Sequence, residues 1–250
     1  MPIVDSHPSF RPPGDSEWLW RYMDLPRFLS MLARQSLWFA RSDQLGDPHE
    51  GSFGAGNVAL RPIMYPQITA EALDALSNLR RRSLVHYFVN CWHESPHESM
   101  AMWQLYGPAR GIAILANLER LRDAIDTVED VYVGKVEYVD YGNSWISEAS
   151  SFEPFVHKRV SFEHEREVRA IIHRIPTTPH EMEPETRRVD WSVEMPLGIE
   201  VPVRLDKLLS EVRVSPDSPS WMVDAIRNLV ARYGLAVSVH QSDLASDPVF

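Results

Sequence analysis

The stretch 211-EVRVSPDSPSWMVDAIRNLVARYGLAVSVH-240 indicates the fold class most directly, because it carries a strand pattern, a helix pattern and a second strand pattern in succession. Glu211–Ser215 and Ala236–His240 are predicted as strands, and Ser218–Tyr233 as a helix with Pro219 near its first turn. A strand, a crossover helix and a second strand place the two strands parallel with a right-handed connection. We therefore predict a C-terminal β-α-β unit.

The rest of the chain mixes strands and helices without regular βαβα alternation, which favours an α+β fold. Further strands are predicted at Trp18–Tyr22, Leu37–Arg41, Leu84–Trp92, Gly111–Ala116, Val131–Tyr141, Arg166–Arg174, Val189–Val193 and Gly198–Arg204. Helices are predicted at 25–35, 70–82, 98–106, after Asn117, near 148–157 and near 206–210. Residues 52–68 show no periodicity and are predicted as a long surface excursion. The prediction is one α+β domain over residues 17–250, a mixed β-sheet with flanking helices, preceded by a flexible leader over residues 1–16.

Composition narrows the function classes. The formal net charge is −10, which argues against nucleic acid and anionic membranes as partners. The start of the chain lacks a signal-like segment and no window approaches a membrane span, so a cytoplasmic protein is expected. The single cysteine, Cys91, excludes an internal disulfide and a cysteine-based zinc site, and we predict no metal site. Positive charge is carried by 22 arginines and only 3 lysines. This bias is explained either by anion recognition or by a GC-rich coding sequence.

Familiar catalytic signatures are missing from the chain. It contains no GxGxxG, P-loop or GxSxG motif and no HExxH helix. Several large enzyme classes are therefore disfavoured.

The densest polar segment is Lys158 to Arg169, KRVSFEHEREVR. On a strand beginning near Glu165, the side chains of Glu165, Glu167 and Arg169 project from one face. Neighbouring carboxylates beside an arginine suit acid–base work or the binding of ligand hydroxyls. The same pattern also occurs on a solvated strand face with cross-strand ion pairs, so both interpretations stay open.

Two further segments carry polar or aromatic candidates. Asp47 and Glu50, in Asp47-Pro48-His49-Glu50, could hold a cation or a ribose hydroxyl, although Asp before Pro is also ordinary turn chemistry. Trp103 and Tyr106 follow helical spacing, which usually indicates core packing rather than an aromatic platform.

The ordered set of motifs resembles a bacterial family of uncharacterised proteins, the DUF2971 family, over roughly Trp18 to Gln241. The matching pieces are Leu19-Trp20-Arg21-Tyr22, Leu37-Trp38-Phe39-Ala40, Asp47-Pro48-x-Glu50, Phe88–Glu94, Met102-Trp103-x-x-Tyr106, Gly111-Ile112-Ala113-Ile114, Val136-x-Tyr138, and Lys158 followed by Phe162-x-x-Glu165-x-Glu167-x-Arg169. Gly46 and Asn90-Cys91-Trp92 depart from the family pattern of Asn before Asp-Pro and a Ser-Phe-Ser-like strand.

The layout also resembles that of ADP-ribosyltransferases, in which an early strand supplies a basic residue and a late strand opens with Glu-x-Glu. This resemblance implies that Arg21 anchors the phosphates or ribose of NAD and that Tyr22 or Tyr106 stacks on nicotinamide. It further implies that Glu167 or Glu165 is the catalytic carboxylate and that Arg169 organises the two glutamates.

The leading hypothesis is an enzyme-like domain whose polar motifs converge on one pocket and act on NAD or another nucleotide. The pocket is expected to be lined by Arg21, Asp47, Glu50, Trp103, Tyr106, Glu165, Glu167 and Arg169. Arg21, Lys158 and Arg169 are the positions where anion recognition is expected. NAD is expected as a substrate rather than a resident cofactor. The rival hypothesis is a non-catalytic binding module whose polar motifs are structural.

Overall fold

The computed structural model describes residues 2–107, 110–179 and 187–246. The strands are β1 Leu19–Met23, β2 Ser36–Arg41, β3 Tyr87–Glu94, β4 Ile112–Ala116, β5 Tyr132–Lys135, β6 Glu137–Val139, β7 His157–Arg159, β8 Glu167–His173, β9 Thr177–Pro179, β10 Arg187–Val189, β11 Gly198–Pro202, β12 Glu211–Val214 and β13 Ser238–Gln241. The α-helices are α1 Leu25–Arg34, α2 Ala55–Met64, α3 Ala70–Ser83, α4 Met100–Tyr106, α5 Leu118–Ala124, α6 Leu205–Leu208 and α7 Ser220–Arg232.

Nine strands of the described chain form one mixed sheet, which confirms the α+β class. Its order is β11-β2-β3-β1-β4-β12-β13, with β8 paired to the other edge of β3 and β5 paired to β8. The predicted C-terminal unit is present, since β12 and β13 pair in parallel and are joined by α7. The other pairs of this sheet are antiparallel.

Helices cover one face of the sheet. The main apolar cluster joins residues of α1, α5, α6 and α7 to alternate residues of the strands, among them Phe28, Leu121, Leu208 and Ile226. Strand residues alternate in direction, so the intervening side chains project toward the opposite face. That face carries two smaller apolar clusters, one around Tyr87 and Phe155 and one around Trp20 and Trp103. A polar site lies between these two clusters.

Helix α1 shows how local chemistry sets a boundary. The Asp24 side chain accepts a hydrogen bond from the N–H of Arg27, and Pro26 occupies the first turn. The helix ends at Gln35, which adopts the left-handed conformation with φ 49°, and β2 begins at the next residue. This short connection brings β1 and β2 to the same side of β3.

The N-terminal segment differs from its prediction as a flexible leader outside the fold. Ile3 forms a parallel bridge with Val131, and Phe10 is buried against Tyr132 and Phe152. A Cβ at Gly134 would lie 2.9 Å from the Phe10 ring, so this glycine allows Phe10 to pack closely against β5. Residues 2–16 thus contribute to the core because they supply apolar side chains at a face that the rest of the chain leaves open.

Several element predictions are wrong. Residues 55–64, predicted as part of an irregular excursion, form α2 with Pro62 inside it, because tertiary contacts override the weak local pattern. Residues 131–141 split into β5 and β6, and β6 pairs with β7 in a separate small sheet. Residues 148–157 contain a 3₁₀ turn rather than an α-helix. Helix α3 has no buried residue, so its predicted inner face does not reach the core.

In addition, the strand predicted at 189–193 gives way to a turn after Val189. The strand predicted from residue 84 begins at Tyr87, after a 3₁₀ turn. The sequence also predicts a loop at 176–184; Thr177–Pro179 of this segment form β9, and residues 180–184 lie outside the described residues. No helix in the part of the chain that is described has the length and apolar character needed to cross a bilayer.

Candidate functional site

A gap in the sheet sets the position of the site. The edge of β3 that faces away from β8 is shared by two strands, with Ala40 of β2 opposite Val89 and Trp20 of β1 opposite His93. Between these pairings, residues 90–92 have no strand partner on that edge among the described residues. These residues pair with β8 on the other edge, so only the backbone groups that point into the gap are left to bond to side chains.

A cavity of about 790 Å³ passes through this gap and is lined from both faces of the sheet, by Met31 and Arg34 of α1 on one face and by Glu167 and Arg169 on the other. Its volume falls within the range of small-molecule binding sites. The structure brings eight of the predicted site residues to its wall: Arg21, Tyr22, Glu50, Tyr106, Lys158, Glu165, Glu167 and Arg169. Arg21, Glu50 and Glu167 thus reach one cavity, but not from one sheet face: Arg21 projects to the face of Leu19 and Met23, and Glu167 projects to the opposite face.

Arg169 lies at the centre of the polar cluster and is fully buried. Its Nε and Nη2 donate to the two carboxylate oxygens of Glu167 at 2.9 and 3.0 Å, a bidentate pair. Nη2 also donates to Glu50 at 2.9 Å, and Nη1 donates to the carbonyl of Phe155 at 2.8 Å. Although burial disfavours the charge, Glu167 and Glu50 hold the pKa of Arg169 well above its usual value.

Lys158 is the second buried cation and links three carboxylates. Its Nζ lies 2.5 Å from Glu165, 3.3 Å from Glu167 and 3.3 Å from Glu50. Burial alone would lower the pKa of Lys158, but Glu167 and Glu50 raise it above its usual value. Lys158 therefore stays charged, and the cluster sets two cations against three glutamates, so it has one carboxyl group in excess.

Glu167 is held as a carboxylate. Burial would raise its pKa, but Arg169 and Lys158 outweigh burial and lower the pKa of Glu167 to about 2. A group with this pKa carries no proton near neutral pH, so Glu167 cannot serve as a general acid there. It can accept hydrogen bonds or stabilise positive charge.

Glu165 belongs to the cluster, but a different local structure from the predicted strand positions it. It ends a 3₁₀ helix, Val160–Glu165, and Arg166 follows with φ 40°, so β8 begins only at Glu167. Strand alternation therefore does not align Glu165 with Glu167. The turn brings it there instead, and Tyr106 Oη donates to it at 2.6 Å. Burial and the Glu165 carboxylate raise the pKa of Tyr106 above its usual value, which keeps the phenol protonated.

Arg21 differs from the other buried cations because it forms no ion pair with a carboxylate of the described residues. Its Nη1 donates to the carbonyl of Cys91 at 2.5 Å, in the unpaired part of β3, and its guanidinium lies 6.0 Å from the Trp92 ring centroid. Burial lowers the pKa of Arg21 from its usual value, yet a guanidinium stays charged at neutral pH. Arg21 is thus a cation in the cavity wall without a countercharge bonded to it.

Asp47 does not line the cavity, contrary to the prediction. It accepts hydrogen bonds from Arg159 at 2.7 and 3.1 Å and from the N–H of His49 at 3.0 Å. Although burial favours the protonated form, these donors hold the pKa of Asp47 below its usual value. The turn closes at Gly51, whose φ of 68° suits glycine, and it delivers Glu50 to Arg169. The turn-chemistry interpretation is therefore right for Asp47, and its role is to position Glu50.

Trp103 also lies behind the cavity wall rather than in it. It is buried, packs edge-on against Tyr22 with ring centroids 5.0 Å apart, and donates its Nε1–H to Glu98 at 2.9 Å. Tyr22 reaches the wall, but its Oη accepts a hydrogen bond from the N–H of Ser99 at 2.9 Å. The helix pattern thus indicates core packing correctly for Trp103, which supports Tyr22, but not for Tyr106, which is 40% exposed and lines the cavity.

The wall residues that were not predicted as site residues include Trp38, Cys91 and His93. Burial and the Glu167 carboxylate raise the pKa of the Cys91 thiol well above its usual value, so it is not a thiolate nucleophile. His93 Nδ1 lies 2.6 Å from the carbonyl of Glu165 and must donate to it, which leaves Nε2 as the acceptor nitrogen. The position of these three side chains in the cavity wall depends on how the strands pair, and the sequence carries no pattern that predicts this pairing.

No family model, curated protein or solved structure matches this chain. The resemblance to the DUF2971 family and to ADP-ribosyltransferases stays a prediction from the motifs. The described residues contain no group of three or more His, Cys, Asp or Glu side chains arranged to hold a metal ion.

Proposed function

We propose that this protein binds a nucleotide of the NAD type in the cavity at the sheet gap and acts on it as an ADP-ribosyltransferase-like enzyme. One observation carries the proposal: the unpaired guanidinium of Arg21 and the carboxylates of Glu165 and Glu167 line the same cavity of about 790 Å³. A nucleotide presents both phosphates and ribose hydroxyls, so it matches a site with a free cation on one side and acceptors on the other.

Arg21 is the phosphate-binding residue in this proposal. A guanidinium offers several donors in a planar fork and binds phosphate oxygens in pairs. Nη1 is used by the Cys91 carbonyl, which orients the group and leaves its other donors for a ligand. Because Arg169 and Lys158 are already neutralised by glutamates, Arg21 is the better site for an added negative charge.

Glu165 and Glu167 act on the ribose. When the bond between ribose C1′ and nicotinamide breaks, nicotinamide leaves neutral with the bonding electron pair and the ribose becomes cationic. The ionised Glu167 stabilises that cation, and Glu165 accepts a hydrogen bond from a ribose hydroxyl. An acceptor hydroxyl or water then bonds to C1′ and releases its proton to solvent.

Nicotinamide release from NAD tests the catalytic part. We expect turnover by the wild type and at least a hundredfold loss in Glu165→Gln and Glu167→Gln, because each removes a charge that acts in the transition state. Calorimetry tests binding: Arg21→Gln should weaken NAD binding about tenfold or more, whereas Arg227→Gln, at an exposed ion pair with Asp224, should not. Equal NAD affinity in wild type and Arg21→Gln would overturn the binding assignment.

The second candidate is a non-catalytic binding module, and the closed ion network favours it. Both oxygens of Glu167 accept from Arg169, and both oxygens of Glu165 are engaged by Tyr106 and Lys158. Such a network also serves to hold the turn at 47–51 against β8. Absence of both nicotinamide release and an NAD-induced thermal shift would support this candidate over the enzyme, whereas nicotinamide release that is lost in Glu167→Gln would reject it.

A further inference from the structure

Trp38 differs from the other tryptophans that line the cavity. Trp20 and Trp92 are buried, and their indole N–H groups donate to the carbonyl of Ser95 and the side-chain oxygen of Asn90. Trp38 is 49% exposed, and its indole N–H makes no hydrogen bond to the described residues. A large aromatic ring left open in a cavity wall is available to a ligand.

Strand geometry places Trp38 on the same sheet face as the polar cluster. Trp38 and Ala40 are two residues apart on β2 and share a face, and Ala40 lies opposite Val89 of β3. Val89 and Cys91 are likewise two residues apart, and Cys91 lies opposite Arg169 of β8. Since residues two apart on a strand and residues opposite each other share a face, Trp38 and Arg169 project to one side.

Gly198 allows the Trp38 ring to lie across the neighbouring strand. A Cβ at Gly198 would lie 2.2 Å from Cζ2 and 2.4 Å from Cε2 of Trp38, so any other residue would displace the indole. The wall residues beside Trp38 on the same strand face, Ser36 and Ala40, are small. One ring face is therefore supported by β11 while the surroundings leave room over the other.

We infer that Trp38, supported by Gly198, is the platform on which the planar base of the bound nucleotide stacks. Gly198 is a positioning residue that acts through the indole. The inference rests on the proposed nucleotide function and deepens it, because it assigns affinity to an aromatic base and not only to phosphate and ribose. Stacking tolerates any base with a π face, so the platform favours aromatic bases over base-free sugar phosphates.

The experiment compares AMP with ribose 5-phosphate, which share the sugar phosphate and differ in the base. We expect Trp38→Ala to weaken AMP binding about 5- to 150-fold while leaving ribose 5-phosphate affinity within about twofold. Trp38→Phe should retain part of the AMP affinity. Trp221→Phe and Trp221→Ala are the matched controls, since Trp221 is 60% exposed on α7 and does not line the cavity.

A double-mutant cycle tests the role of Gly198. Gly198→Ala should weaken AMP binding in the wild-type background but cause little further loss in Trp38→Ala, because its effect depends on the indole. Thermal unfolding of each variant separates loss of binding from loss of fold. Unchanged AMP affinity in a folded Trp38→Ala protein overturns the inference while the proposed function survives. Failure of the wild type to bind both NAD and AMP overturns the function and the inference with it.

Discussion

Arg169 contacts three parts of the chain that are distant in sequence: the turn ending at Glu50, the carbonyl of Phe155, and Glu167 on its own strand. Both glutamates are buried, so their charges depend on this cation and on Lys158. Breaking a buried pair by removing one partner leaves an uncompensated charge, which costs far more than the loss of a surface pair.

Arg169→Met should therefore lower the free energy of unfolding by about 3–5 kcal/mol. Arg227→Met is the matched control, because Arg227 pairs with Asp224 at the surface, where such pairs contribute about 0–1 kcal/mol. Urea unfolding of the two variants measures the difference. Equal losses would show that the cluster is solvated and contributes no more than a surface pair.

The titration of Glu167 gives a pH dependence with a definite sign. Its pKa falls from the ordinary value of 4.5 to about 2 on folding, so the unfolded chain binds the proton more tightly. The resulting stabilisation, about 3 kcal/mol, is complete above about pH 5 and is lost as the pH falls toward 2. Unfolding curves across this range should show a smaller acid-induced loss in Glu167→Gln than in the wild type. Parallel pH profiles would contradict the assignment, since the other carboxylates titrate in both proteins.

At the scale of elements, two strands share one edge of β3, and their divergence creates the site. Helix α1 is short and its left-handed end at Gln35 turns the chain directly into β2, which keeps both strands beside β3. On the other edge, β8 pairs along the length of β3 and holds Glu167 and Arg169 level with the gap. The gap is thus a product of strand pairing rather than of any single residue.

Helices α2 and α3 share one buried carboxylate as a hydrogen-bond acceptor. Glu148 accepts hydrogen bonds from Arg61 of α2 at 2.8 Å, from Arg80 of α3 at 2.6 Å and from Asn57 at 3.1 Å. Since α3 buries no residue, this ion cluster supplies attachment that apolar packing does not.

Glu148→Gln should loosen this helix pair, because it keeps the side-chain volume and leaves the partly buried Arg61 and Arg80 without a counter-ion. Hydrogen exchange should accelerate over residues 55–83 by more than tenfold, with little change in β3 and β8. Glu129→Gln is the control, since Glu129 pairs with Arg174 at the surface. Unchanged exchange over residues 55–83 would show that other contacts hold the helices.

At the scale of the whole molecule, the cavity wall draws on β1, α1, β2, β3, α4, β8 and β11, so a ligand that fills it bridges both halves of the sheet. A ligand that binds only the folded state stabilises it by mass action, by about 2.7 kcal/mol at a concentration 100-fold above Kd.

NAD at that concentration should raise the Tm of the wild type by about 5–10 °C, given the size of the chain. The shift should shrink in Arg21→Gln and in Trp38→Ala at the same NAD concentration. Differential scanning fluorimetry measures it. A wild-type Tm that is independent of NAD would argue that the cavity does not bind nucleotides.

Local chemistry in the sequence was enough to predict the elements with strong signals. The Asp24 cap, the apolar alternation of β8 and the Pro219 helix start all act over a few residues, and the structure has each of them. The α+β class and the parallel β12–β13 unit follow from such signals. Helix α2 could not be predicted in this way, because Pro62 and its glycines weaken the pattern and the Glu148 contacts come from 87 residues or more away.

The candidate site, like the fold, could be predicted from the sequence only in part. The polar motifs and their resemblance to a family predict that Arg21, Glu50, Lys158, Glu167 and Arg169 share a site, and all five line one cavity. Only the tertiary structure decided that Asp47 pairs with Arg159 outside the cavity, that Trp103 packs behind Tyr22, and that Trp38 is open. The physical reason is that residue types and short-range periodicity are written in the sequence, whereas the register of β2, β1 and β8 on β3 is a long-range property. That register sets the gap, and the gap decides which side chains meet.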